Sequence, residues 1–256
     1  MKKKLQSIID SLPALMAIII LILIWHLLSA SDIVPSYMLP KPIDVLKALV
    51  QDREILFEHG LITLKEAIYG LLIGIMIAFA IATLMDECNL LYKALYPVMV
   101  ITQTIPTIAI APLLVLWMGF GVEPKITLVV ITTFFPIAVG LLDGYKNVDM
   151  DSVNLLRSMG AGKVKIFRHI KLPNALPHFF SGLKVSASYA IVGAVISEWL
   201  GGFEGLGVYM TRVKKAYAFD KMFAVIIVII VISLLLMKLV NVFRKMVMPW
   251  ERTDVK

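Results

Sequence analysis

Apolar residues fall into long runs along this chain, and polar residues gather in the gaps between them. Six runs approach the ~20 residues that carry a helix across a bilayer: residues 12–28, 61–84, 95–117, 126–142, 179–200 and 223–242. The pattern predicts an all-α polytopic membrane protein with six transmembrane helices, read as one domain over residues 1–256. Lys2, Lys3 and Lys4 precede the first run as they would in a signal peptide. That run is long, and its removal would leave an odd number of spans, so it is read as retained.

The gap at residues 149–177, DMDSVNLLRSMGAGKVKIFRHIKLPNALP, is the longest polar interruption after residue 60. It carries Arg157, Lys163, Lys165, Arg168 and Lys171, with Lys146 just before it. Asp149 or Asp151 suits a helix start and Gly160 a left-handed helix end. A second short helix is expected over about 163–171, stopped by Pro173 and Pro177. Val153, Leu156 and Met159 would line one side of the first helix, Phe167 and Ile170 one side of the second. A basic, helical, partly apolar element between two spans is suited to touch a partner; resting on anionic lipid is the simpler alternative.

Two other segments have local signals. Leu39-Pro40-Lys41-Pro42 disfavours helix, after which Ile43, Leu46, Leu49 and Val50 share one helical face, as in a short helix lying at the outer membrane surface. In the second run Gly70 and Gly74 form G-x-x-x-G, which lets two helices approach closely in lipid; Gly182, Ser186 and Gly193 offer the same in the fifth.

Polar groups inside the runs mark a candidate path. Thr102, Gln103, Thr104 and Thr107 cluster around Pro106, with Pro112 further on. Prolines free backbone carbonyls, and unpaired polar groups are costly in hydrocarbon, so Gln103, Thr104 and Thr107 are candidate path-lining residues. Alternatively the threonines bond their own helix and Gln103 a neighbour. Glu198, near the outer end of the fifth run, is the other candidate, expected to face the bundle, with Arg212 and Lys214 among the basic residues nearest in sequence. Its alternative is an interfacial acid beside Trp199.

Composition supports the membrane class: 59% hydrophobic and 17% charged, against ~45–50% apolar for soluble domains. The net charge of +7 does not point to nucleic acid, because the basic residues lie between apolar runs. With the N terminus inside, fourteen Lys and Arg fall in inner segments and eight in outer ones, which predicts both termini and the 149–177 segment in the cytoplasm. The lone Cys88 cannot form an internal disulfide, and the four histidines lack metal-ligand spacing. No phosphate-binding loop is present: Gly162-Lys163 is followed by Val164, and Arg157 stands where the first glycine belongs. A nucleophile elbow and H-E-x-x-H are also missing from the sequence. The chain is therefore not read as an enzyme and is expected to hold no metal or cofactor; ATP-driven work would need another chain.

Gly160, nine residues, Ile170, one residue, Leu172 and Pro173 resemble the G-x9-I-x-L-P core of the coupling loop in permease subunits of bacterial ATP-binding-cassette importers. The family's Glu-Ala-Ala falls here on Asn154, Leu155 and Leu156. The resemblance extends over roughly residues 39–250. Residues 103–121, Phe134-Phe135-Pro136-Ile137, Gly182-Leu183-Lys184 and 197–202 are similar to the nitrate/sulfonate/taurine branch, and within it to permeases for thiamine-precursor pyrimidines or riboflavin. The resemblance implies that Asn154, Leu155, Leu156, Arg157, Gly160, Ala161, Phe167, Ile170, Leu172 and Pro173, in a loop at about 147–177, form coupling helices that dock on an ATPase. It further implies a second copy of the chain, two ATPase subunits that bind ATP and Mg, an external substrate-binding protein, and the bacterial inner membrane. The expected substrate is a small vitamin precursor such as hydroxymethylpyrimidine, with a nitrate-, sulfonate- or taurine-type anion as the alternative. A reading of another class is a stand-alone secondary transporter or channel, which would be expected to show stronger intramembrane ionisable sites or related halves.

Overall fold

The computed structural model describes residues 2–31, 34–35 and 38–252, and every regular element among them is helical. In chain order these are α1 (Lys2–Ala30), α2 (Pro42–Gln51), α3 (Arg53–Glu87), α4 (Asn89–Thr104), α5 (Thr107–Met118) and α6 (Glu123–Lys146). There follow α7 (Met150–Ser158), α8 (Lys163–Ile166), α9 (Leu172–Gly201), α10 (Leu206–Lys215) and α11 (Phe219–Val247).

Among the described residues four helical segments, 53–87, 123–146, 163–201 and 219–247, are long and apolar enough to cross a membrane, and α4 with α5 makes a fifth if the bent pair is one span. The sequence pattern gave six; the first run lies in α1, whose described apolar portion, Leu15–Ala30, is shorter than a full crossing. The third run is not one straight helix. It breaks at Ile105 and Pro106 and turns by 101°. Proline disfavours helical backbone for the residue before it, and here Ile105 is extended at φ −81, ψ 122.

The chain packs as two compact units. The smaller comprises Met1–Phe57 and Tyr209–Val228. There Trp25 stacks on Phe223 at 5.5 Å and donates its indole N–H to the Pro40 carbonyl at 3.0 Å. Pro42 opens α2, whose Val45 and Ala48 are buried, whereas Ile43, Leu46 and Val50 on the expected apolar face are more than half exposed. Asp52, after α2, accepts hydrogen bonds from Tyr209 and Lys221.

The larger unit comprises Glu58–Val208 and Ile229–Lys256, and its most extensive pairing is α6 on α9. Small residues set that approach. A side chain at Gly182 would collide with the Pro136 carbonyl, Gly193 lies against Thr132, and Ser186 donates to the Thr133 carbonyl at 2.7 Å. Gly70 and Gly74 on α3 face Val129 and Thr133 of α6, so the G-x-x-x-G pair does serve a helix contact.

Candidate functional site

The 149–177 segment is built from capped, closed turns. Asp149 accepts from the backbone N–H of Asp151 and Ser152, both at 3.1 Å, and starts α7. This holds the Asp149 carboxyl below the usual aspartate range, with the Ser152 hydroxyl as the leading cause. At the other end Gly160 has φ 81, its N–H bonds the Arg157 carbonyl, and the Ala161 N–H bonds that of Leu156. This is a Schellman closure, with Leu156 and Ala161 both packed on a small core of Val148, Val153 and Ile166. Ile170 packs on the same core, and Phe167 packs on Tyr145 with ring centroids 5.5 Å apart.

Two expectations for this segment change. Met159 is 74% exposed rather than inward, because α7 ends at Ser158 and the residue caps the turn. The second helix does not stop at Pro173 and Pro177: a π-turn, Phe167–Lys171, joins α8 to α9. Its wider bonding, seen in the Leu172 N–H reaching the Phe167 carbonyl, gives way just before the Pro173 ring, whose missing donor falls in the first turn of α9. Lys171 and Lys163 both have acidic partners, the first pair largely buried and the second at the surface. They pair with Asp86 at 2.6 Å and Glu87 at 3.0 Å, tying the segment to the end of α3. Facing out are Asn154, Leu155 and Arg157, with Val164 80% exposed.

A recess of about 280 Å³ opens at the α4–α5 break, lined in part by Thr102, Gln103, Thr107, Thr132 and Tyr189. Thr102 and Thr132 turn their hydroxyls back onto the carbonyls of Met99 and Val129. Thr104 does the same with Ile101 and is not part of the lining. An apolar hollow of about 430 Å³ adjoins the recess through Thr102, Ile105, Ile110 and Ile131 and is walled by Phe134.

Glu198 is elsewhere and is 1% exposed. It accepts from the Thr63 hydroxyl at 2.7 Å and the Gly207 N–H at 2.6 Å. The Gly-rich turn after α9 thus folds back over it: Gly205 has φ 115, and its N–H donates to His59 Nδ1 at 2.9 Å. Glu66 and Lys125 act electrostatically on the same carboxyl group and form their own ion pair at 2.7 Å. Sequence reasoning missed both. It placed Lys125 in a loop, whereas the residue is buried in the first turn of α6. The usable signal was the recurrence of His59, Thr63 and Glu66 on one face of an apolar helix.

The family described as binding-protein-dependent transport system inner membrane component matches residues 70–252. The chain belongs to this family. A probable ABC transporter permease protein of Haemophilus influenzae is 36% identical over 225 residues, 88% of this chain and 92% of that protein. The formylaminopyrimidine transport permease protein ThiX of Halalkalibacterium halodurans is 33% identical over 253 residues, 98% of this chain and 99% of that one. A chain of the MetNI methionine ABC transporter, solved in an inward-facing conformation, has the same fold: TM-score 0.67 at 19% identity, over 76% of this chain and 97% of that chain.

The chain is thus an ABC importer permease of the branch its sequence resembles, a multi-pass protein of the inner membrane. The segment at 149–177, the recess and Glu198 all fall within the family match, whereas Thr63 and Glu66 precede it.

Proposed function

We propose that this permease works as a homodimer with two separate ATPase subunits, which bind ATP and Mg, and with an external binding protein that delivers the solute. The observation that carries the reading is the 149–177 segment. Its inner face is fixed by a core and by the Lys171–Asp86 ion pair, yet Leu155, Met159 and Val164 stay 64%, 74% and 80% exposed. Exposed apolar side chains on a rigid mount suit a protein partner better than a lipid headgroup layer. ATP-driven closure of the ATPases would pull on this mount and, through the continuous path into α9, move the helix that lines the recess. The charge count supports both termini and this segment on the cytoplasmic side.

In this reading Gln103 and Thr107 line the path. Glu198 shapes its outer end by fixing the turn at 202–205 and the start of α10, while Thr104 lies outside the recess. The substrate is a small vitamin precursor of the hydroxymethylpyrimidine kind, supported by the full-length likeness to the formylaminopyrimidine permease. A nitrate-, sulfonate- or taurine-type anion is the alternative. Co-expression with the cognate ATPase and uptake by proteoliposomes test the reading: co-purification and ATP-dependent pyrimidine uptake are expected. Uptake by the chain alone, without an ATPase, would instead make it a secondary transporter or channel.

A further inference from the structure

We infer that the recess at the α4–α5 break is a solute-binding chamber of the permease itself, selective for uncharged, hydrogen-bonding molecules with a flat or apolar face. The inference rests on the importer reading and adds where the solute is held and which chemistry is admitted.

Three observations converge. First, the Gln103 amide, the Thr107 hydroxyl and the Tyr189 hydroxyl all border the recess, and none has a hydrogen-bond partner among the described residues. Each of the three groups both donates and accepts, which complements a ring edge where donor and acceptor alternate, as in an aminopyrimidine. Second, the adjoining hollow is walled by Phe134 and aliphatic side chains, so a solute oriented by its polar edge can lay its apolar face there. Third, among the described residues no acidic or basic side chain lines either space. The buried ionisable side chains of this unit, Glu66, Lys125 and Glu198, are engaged with one another and with Thr63 and Gly207. An anion entering the chamber would shed water and find no cation to replace it. A neutral solute loses far less and regains it from the three free groups. At about 280 Å³ the polar part suits a single small ring.

The test is equilibrium binding of radiolabelled hydroxymethylpyrimidine and of methanesulfonate to the purified permease–ATPase complex without its binding protein. The pyrimidine should bind at least tenfold more tightly than the sulfonate. Gln103→Leu combined with Thr107→Val should weaken pyrimidine binding by about tenfold or more, as expected for two lost hydrogen bonds, while the ATPase still co-purifies. Gln103→Lys should reverse the preference by supplying a cation. Sulfonate binding as tight as pyrimidine binding, no binding of either, or a double variant that binds like wild type would each overturn the chamber. None of those results touches the importer reading, which falls instead if no ATPase assembles with the permease.

Discussion

Replacing Lys125 by Met should destabilise the permease more than any surface change. The Lys125 ammonium lies 2.7 Å from Glu66 Oε1, with the two side chains only 7% and 4% exposed. Glu66 Oε2 has no hydrogen-bond partner among the described residues, so removing Lys125 strips the carboxyl group of its strongest contact. It would also leave Glu66 facing Glu198, which Thr63 and Gly207 hold in place. Breaking a buried ion pair from one side costs about 3–5 kcal/mol. At roughly 2–4 °C per kcal/mol for a chain of this length, the melting temperature should fall on the order of 10 °C. The double variant Lys125→Met, Glu66→Leu removes both charges and should recover most of the loss. Thermal unfolding of the purified complex in detergent, followed by tryptophan fluorescence, reads both. A single variant within about 2 °C of wild type, or a double variant as unstable as the single, would refute the reasoning.

Other substitutions probe other links. Gly160→Val meets no steric neighbour but forces a branched residue to φ 81, a local cost of about 1–2 kcal/mol; solute-stimulated ATP hydrolysis should drop with the complex intact, whereas Gly162→Ala at φ −74 should be silent. Gly182→Leu drives a side chain into the Pro136 carbonyl, and a loss of about 1–3 kcal/mol or more should show as a reduced folded fraction in fluorescence-detected size exclusion. Burial raises the Asp52 carboxyl, but hydrogen bonds from Lys221 and Tyr209 and the Lys221 charge outweigh it and hold the group below 3.8. The resulting stabilisation is complete above 3.8 and fades as the pH falls through Asp52's own lower value. In acid melts Asp52→Asn should be less stable than wild type near neutrality and should match it only below that value.

Much of this was legible because it is local. Asp149, Gly160 and the spacing of Val153 and Leu156 encode a cap, a left-handed turn and an inward face within a dozen residues, and the structure shows each. The apolar runs at 61–84, 126–142, 179–200 and 223–242 located the four long helices for the same reason. The break in the third run was half-legible: Pro106 announces an extended Ile105, but no local rule gives an angle of 101°. The continuation through Pro173 and Pro177 was hidden, because a π-turn is a packing outcome with no sequence signature of its own. The Glu198 cluster was hidden for a plainer reason. Its members Thr63, Glu66, Lys125 and Gly207 meet Glu198 only after α3, α6, α9 and the start of α10 have packed, and the basic residues near Glu198 in sequence, Arg212 and Lys214, drew attention from Lys125.

In the proposed assembly the 149–177 segment docks this permease on a separate ATPase. Leu155 is 64% exposed on α7, and the single native cysteine, Cys88, can be replaced by Ser. In that background Leu155→Cys should form a covalent adduct with the co-expressed ATPase subunit when a short thiol cross-linker is added to native membranes. An adduct at the combined mass, lost when the cysteine is moved to Leu234, exposed within the apolar stretch of α11, is the predicted result. A complex that co-purifies yet gives no adduct from Leu155, Met159 or Val164 would contradict it.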